Sequence, residues 1–407
     1  MNPTVGPKRD GSLEALRGIA SVVVLFSHTM SSFFPSFIGT FGESDPAFSL
    51  KRTAFYALIN GQAAVVFFFV LSGFVLTHRY FATYDDDIIW RGMIKRWPRL
   101  AAPALIVVLV AWAGFVFNVY WYREAAALLK SPWLGSFGAS NPPIVFNFWF
   151  ALADGAVLSF LRRGSSYNSN LWTMTYELSG SFMIFISAVA AVKFRRLHII
   201  SRLIFVVAAF ILAGIISPLF SAFILGAVLS WIYVVKPIQV SPLAACIGLL
   251  LAFYLAGYSP GSKPYDWLTK IGADIQYGQY VWILASAIAI ISVEGCHYLA
   301  ETLSGRWGRF LGSMSFPIYL VQIVVICSIG SYAYVATTTI LPFPFPALCA
   351  SVVCVAGTFL AALPLRSFDF WWIPAIGKIS SSILIYARSK VTSRRITYSS
   401  DLPNTPN

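Results

Sequence analysis

The chain has 407 residues, of which 58% are hydrophobic and 11% charged, with a formal net charge of +13. A water-soluble globule of this size does not run on so few charges, so the composition excludes a soluble enzyme or binding domain and makes the bilayer the solvent. The basic excess falls in clusters beside apolar runs, where Lys and Arg orient helices, so no nucleic-acid partner is implied.

Residues 1–12 are too short and polar to bury a core and read as a cytoplasmic tail. Lys8 and Arg9 ahead of an apolar run resemble a signal peptide, but no small-x-small cleavage site follows, so the segment is expected to be retained. A hydrocarbon core roughly 30 Å thick needs about 20 apolar residues per helical span. Suitable runs fall at 13–33, 54–79, 101–121, 171–192, 199–216, 218–235, 242–258, 277–296, 310–332 and 345–365. The expected fold is therefore all-α, a polytopic transmembrane bundle of about ten spans forming one membrane domain over 13–388.

An eleventh run, 144–161, carries Asp154, and a carboxylate at the bilayer centre costs about 2.5–3.5 kcal/mol. With ten spans and the N-terminus inside, the clusters Arg91–Lys95–Arg96–Arg99 and Lys193–Arg195–Arg196–Arg202 and the basic tail all lie on the inner side. A full span at 144–161 would invert that bias, so it is read as re-entrant or interfacial. Both termini are then cytoplasmic. The aromatic and basic stretch 368–388 reads as an interfacial helix, and 389–407 as a disordered tail. The five cysteines show no metal or disulfide spacing and read as packing residues; no metal is expected.

An ionisable group inside a bilayer is paired, lines a cavity or is functional. In the first span, Arg17 precedes His28 by eleven residues, which at 100° per residue leaves them about 20° off a common face with a rise of roughly 16 Å. His28 offers an imidazole able to take a proton near neutral pH, as a general base must, or a packing hydrogen bond between helices. Arg17 either serves a ligand or snorkels to the interface beside Glu14. In the second span, Ser72 and Gly73 interrupt a long apolar run, a pair that suits close helix packing or a site. The loop that follows carries KRWPRL, where Arg96 and Arg99 either grip phosphates or simply flank a helix on the positive side. Glu177, with Trp172 and Tyr176, lies a few residues into a span and either orients reacting groups or caps the outer interface. His78, His198 and His297 fall at interfaces and suit structural or surface roles.

Taken together, Arg17 and His28, then Phe68, Phe69, Ser72 and Gly73, then Arg96 and Arg99, resemble in order and spacing the acyltransferase-3 family of integral-membrane O-acyltransferases. Those bacterial enzymes acylate surface polysaccharides and related glycans. Two positions depart from the family pattern: Leu178 follows Glu177 where a second acidic residue is usual, and Gln322 stands in MSFPIYLVQ where a histidine is usual. The chain is read as the stand-alone form, without the extracytoplasmic hydrolase-like domain.

The resemblance implies a cytoplasmic acyl-CoA donor, commonly acetyl-CoA, and a glycan or lipid-linked glycan acceptor, in the bacterial cytoplasmic membrane. It implies that Arg96 and Arg99 hold the donor phosphates, Arg17 guides the pantetheine arm and His28 removes the acceptor proton, with Ser72 or Glu177 positioning the reacting groups. The competing reading is a transporter or flippase of a lipid-linked glycan. The charged motifs crowd into the first three helices rather than recurring in two matching halves, which favours the enzyme.

Overall fold

The computed structural model describes residues 10–39, 49–137, 145–194, 198–270 and 278–400, which form helices and turns with no strand among them. Residues 1–9 and 401–407 of the two expected tails, and Arg195 and Arg196, lie outside the described residues. The principal helices are α1 Asp10–Phe33, α2 Gly61–Thr83, α3 Asp86–Val116, α4 Trp172–Lys193, α5 Ile199–Ile216, α6 Pro218–Val235, α7 Pro242–Ala256, α8 Gly278–Gly295, α9 Arg306–Val325 and α10 Phe345–Ser400. Eight helical runs are long and apolar enough to cross a membrane, α9 with its continuation to Thr338 and α10 among them. The apolar parts of α5 and α7 are shorter; the 15 residues of α7 rise about 22 Å. α5 turns Leu203, Ile211 and Ile215 outward, an apolar face suited to lipid. The protein is a polytopic helical bundle.

Boundaries differ from the expected ones for local reasons. The stretch carrying Arg96 and Arg99 is not a loop but lies within α3, because helix formation begins earlier, at Asp85. That side chain caps the helix by accepting from the Asp87 amide at 3.0 Å, and Asp86 and Asp87 complement the dipole of the first turn. Hydropathy alone misses this turn, since it is polar. Residues 54–59 form a separate 3-10 turn, and α2 begins at Gly61, where Asn60 caps by accepting from the Ala63 amide at 3.1 Å. The stretch 368–388 is not a separate interfacial helix. It continues α10 without a break through Pro364 and Pro374, and the helix runs on to Ser400, into the stretch expected as a disordered tail.

The segment around Asp154 falls short of a span. Helix Phe148–Ala153, a π-helical turn Asp154–Leu158 and helix Ser159–Leu161 together rise about 21 Å and pack along α3. The buried Asp154 carboxylate accepts from Arg162 at 2.6 Å, Ser165 Oγ at 2.5 Å and the Ser166 amide at 3.2 Å, so its burial is compensated.

Two close approaches set the frame. α2 packs most extensively on α6, where a Cβ on Gly73 would lie 2.1 Å from the Phe223 carbonyl oxygen and one on Gly226 only 1.9 Å from that of Val70. Any side chain there forces the two backbones apart, the small-residue logic of membrane helix contacts. α1 packs on α9 in the same way, Gly312 against the Glu14 backbone. α1, α2, α3, α4, α9 and α10 thereby surround a central space, while α5–α8 pack on the outer side of α2 and on one another.

Candidate active site

That space is a cavity of about 430 Å³, within the size range of small-molecule sites. Arg17, Ser72, Arg96, Arg99 and Glu177, drawn from four helices, all line it. Counting about 1.5 Å per residue, Arg17 sits roughly 10 Å from the start of α1, Arg96 roughly 15 Å from the start of α3 and Ser72 roughly 16 Å from the end of α2. The cavity therefore lies toward the half of the bundle nearest the start of α1. His28 sits roughly 27 Å along α1 and is not among the lining residues.

The five residues divide into two groups. Arg96 is buried and committed: its guanidinium is ion-paired with Glu177, and its Nε donates to Ser181 Oγ at 2.7 Å. Ser72 Oγ donates to the same Glu177 oxygen at 2.8 Å. With side chains 8% and 16% exposed, this is a buried ion pair whose charges satisfy one another, tying α2, α3 and α4 together behind the cavity. Glu177 neither caps an interface nor stands free.

Arg17 and Arg99 form the second group. Arg17 pairs with Glu14 at 2.6 Å, one turn earlier on α1, and stays partly exposed to the cavity. Arg99 has no hydrogen bond or ion pair among the described residues; it faces the charges of Glu14 and Asp369. Pro98 and Pro103 bracket it within α3, and Pro103 lacks the amide that would bond the Arg99 carbonyl. A guanidinium held inside a cavity with its donors unspent is chemically suited to an anion.

His28 turns into the protein rather than toward lipid. Its ring stacks on Trp133, with centroids 5.1 Å apart, and Gln322 of α9 lies beside it. The His28 Nδ1 and Gln322 Oε1 atoms are both buried, on side chains within interacting reach of each other. Gln322 Nε2 donates to the Tyr319 carbonyl at 3.2 Å, which sets the orientation of the amide. The position where the related family carries a histidine is thus in contact with His28.

A run of hydrogen bonds leads from the cavity to this pair. Thr173 and Tyr319 line the cavity and share a hydroxyl contact of 2.8 Å. The Tyr319 carbonyl also accepts from Asn170 Nδ2 at 2.7 Å, and Asn168 Nδ2 bonds the Leu320 carbonyl at 2.7 Å. One turn of α9, Tyr319 to Gln322, therefore separates the cavity from the imidazole. Pro317 lies just before that turn and a π-helical stretch, Ile326–Gly330, follows it; each interrupts the regular hydrogen-bond ladder on its side of the turn.

Sequence reasoning missed Thr173, Tyr319, Arg366 and Asp369. The first two look like ordinary span residues, Arg366 reads as part of the basic tail and Asp369 as part of an interfacial stretch; only the fold brings them to the cavity that Arg17 and Arg99 line. The other histidines fall elsewhere: His78 stacks on Phe74 and contacts Ser230, His198 caps α5, and His297 lies exposed near Glu301.

Comparison with curated proteins and with solved structures finds no match for this chain. The sequence profile of the acyltransferase-3 family, described as an acyltransferase domain, matches residues 10–363 and so takes in α1 through the first turns of α10. With a match over most of its length, this membrane protein belongs to the acyltransferase-3 family.

Proposed function

We propose that this acyltransferase takes its acyl group from acyl-CoA, acetyl-CoA in the simplest case, and transfers it to a hydroxyl of a cell-surface or exported glycan. The observation that carries the donor is the cavity with two arginines, Arg17 and Arg99, facing its interior. CoA brings a pyrophosphate and a further phosphate to one end of a long thiol arm, and guanidinium forks match those oxygens. The basic residues at the same end of the bundle, Arg79, Arg91, Arg306 and Arg309 among them, support placing that end in the cytoplasm of a bacterial cell, where acyl-CoA is found.

In this reading Arg99 and Arg17 hold the phosphates, and Arg96, occupied by Glu177, braces the helices that present them. The arm runs past Phe68, Met174 and Phe316 toward Thr173 and Tyr319. The thioester meets the acceptor beyond that floor, once the Tyr319–Gln322 turn gives way. His28 then takes the proton of the acceptor hydroxyl as its oxygen attacks the thioester carbonyl carbon. The new C–O bond forms, the C–S bond breaks, and the proton passes from the imidazole to the leaving thiolate. In this reading the Gln322 amide oxygen accepts from the near nitrogen of His28, which leaves the far one to act as base.

The test is incubation of the purified protein with labelled acetyl-CoA and candidate glycans. Thiol release that requires the glycan, with label recovered in an ester, is the expected result. Glycan movement across vesicles without any thiol release would replace this reading with a transporter.

A further inference from the structure

The family match ends at residue 363, yet the cavity is completed by the next turns of α10, from Arg366 to Pro374. Two contacts fix this segment against the arginine-bearing helix and its neighbour. Trp372 Nε1 donates to the Pro98 carbonyl at 3.0 Å, one residue before Arg99. Arg366 Nε donates to Ser313 Oγ at 2.7 Å on α9.

The Arg366 guanidinium is held between two aromatic rings, 5.4 Å from the centroid of Phe310 and 4.9 Å from that of Phe370. Cation–π contacts of this kind orient the fork without consuming its N–H donors. Because Nε alone is hydrogen-bonded among the described residues, the two terminal nitrogens remain available to the cavity that Arg366 lines. Asp369, one turn on, faces Arg99 and offsets part of the arginine charge.

We infer that Arg366 is a third anion-binding group of the donor site, and that this turn of α10 selects a nucleotide-bearing acyl thioester over one lacking phosphates. The inference rests on the acyl-CoA reading above and adds a residue outside the family match. Arg17, Arg99 and Arg366 come from three different helices, so a ligand held by all three must present several anionic oxygens spread over the width of the cavity. A nucleotide with separated phosphates does this; a single carboxylate does not.

The experiment compares two donors, acetyl-CoA and acetyl-pantetheine, which shares the thiol arm but carries no phosphate. The full-length protein is assayed with Arg366, Arg366→Gln and Arg366→Lys. Charge-assisted hydrogen bonds of this kind are worth about 10- to 100-fold in affinity. Arg366→Gln is therefore expected to lower kcat/KM for acetyl-CoA about 10- to 100-fold relative to its change for acetyl-pantetheine, through KM, and Arg366→Lys to recover part of that ratio. Equal losses with both donors would make Arg366 a packing strut and overturn the inference, as would an unchanged KM for acetyl-CoA. A wild-type protein that uses both donors equally well would instead defeat the phosphate reading itself, and this assignment with it.

Discussion

Replacing His28 with alanine is expected to slow acyl transfer about 10²- to 10⁴-fold, the range that a positioned general base contributes. His28→Asn is the sharper variant. It keeps an amide able to meet Gln322 and fills much of the space under Trp133, yet cannot take a proton near neutral pH. Initial rates in membranes, read beside thermal unfolding of both variants, separate chemistry from folding. A His28→Asn protein that folds and still turns over at the wild-type rate would move the base elsewhere. The prediction follows from the placement of the ring: it stacks on Trp133, lies beside Gln322 and is not among the residues lining the cavity proposed for the donor. Its loss should therefore leave donor binding in place.

The second large effect concerns stability. Glu177→Ala strands the Arg96 guanidinium, buried and paired with Glu177, and is expected to cost about 3–5 kcal/mol, the price of a buried charge without its partner. Combining it with Arg96→Met removes both charges, and similar-sized apolar replacements of buried pairs are often neutral, so much of the loss should return. Thermal unfolding of the two single variants and the double one checks this as a cycle. A Glu177→Ala protein as stable as the wild type, or a double variant worse than both singles, would show that the pair is not the brace described here. The result also separates Arg96 from Arg99: they are three residues apart on α3, but the first is spent on protein and the second is open to a ligand.

The sequence carried the architecture well because a bilayer leaves few choices. Each expected span corresponds to a helix, since backbone groups in lipid must bond within their own segment. What hydropathy could not show was helix in polar dress. The first turns of α3 carry Asp86, Asp87, Arg91 and Lys95, so they scored as loop, although Asp85 is a good N-cap and Pro98 and Pro103 are tolerated once neighbouring helices cover the gaps. The same tolerance hides the length of α10, where Pro364 and Pro374 look like helix ends and are not.

The site was half legible for a related reason. Arg17 and His28 share a helix, so periodicity alone relates them. Arg366 joins Arg99 at one cavity, and Tyr319 bonds Thr173, only through the packing of α9 and α10 on α3 and of α9 beside the start of α4, which no local pattern encodes. Gln322 stood out in the sequence only as a departure from the family pattern. Its contact with His28 gives that departure a physical meaning: an amide oxygen now occupies the place from which a second imidazole would face the first.

The most direct test of the account is titration of the purified protein with CoA, followed calorimetrically at low salt, for the wild type, Arg99→Ala and His28→Ala. The account predicts saturable binding that Arg99→Ala weakens about tenfold or more and that His28→Ala leaves intact, because one residue faces the cavity and the other lies behind its floor. Absence of CoA binding by the wild type, or equal affinity in the Arg99→Ala protein, would contradict it.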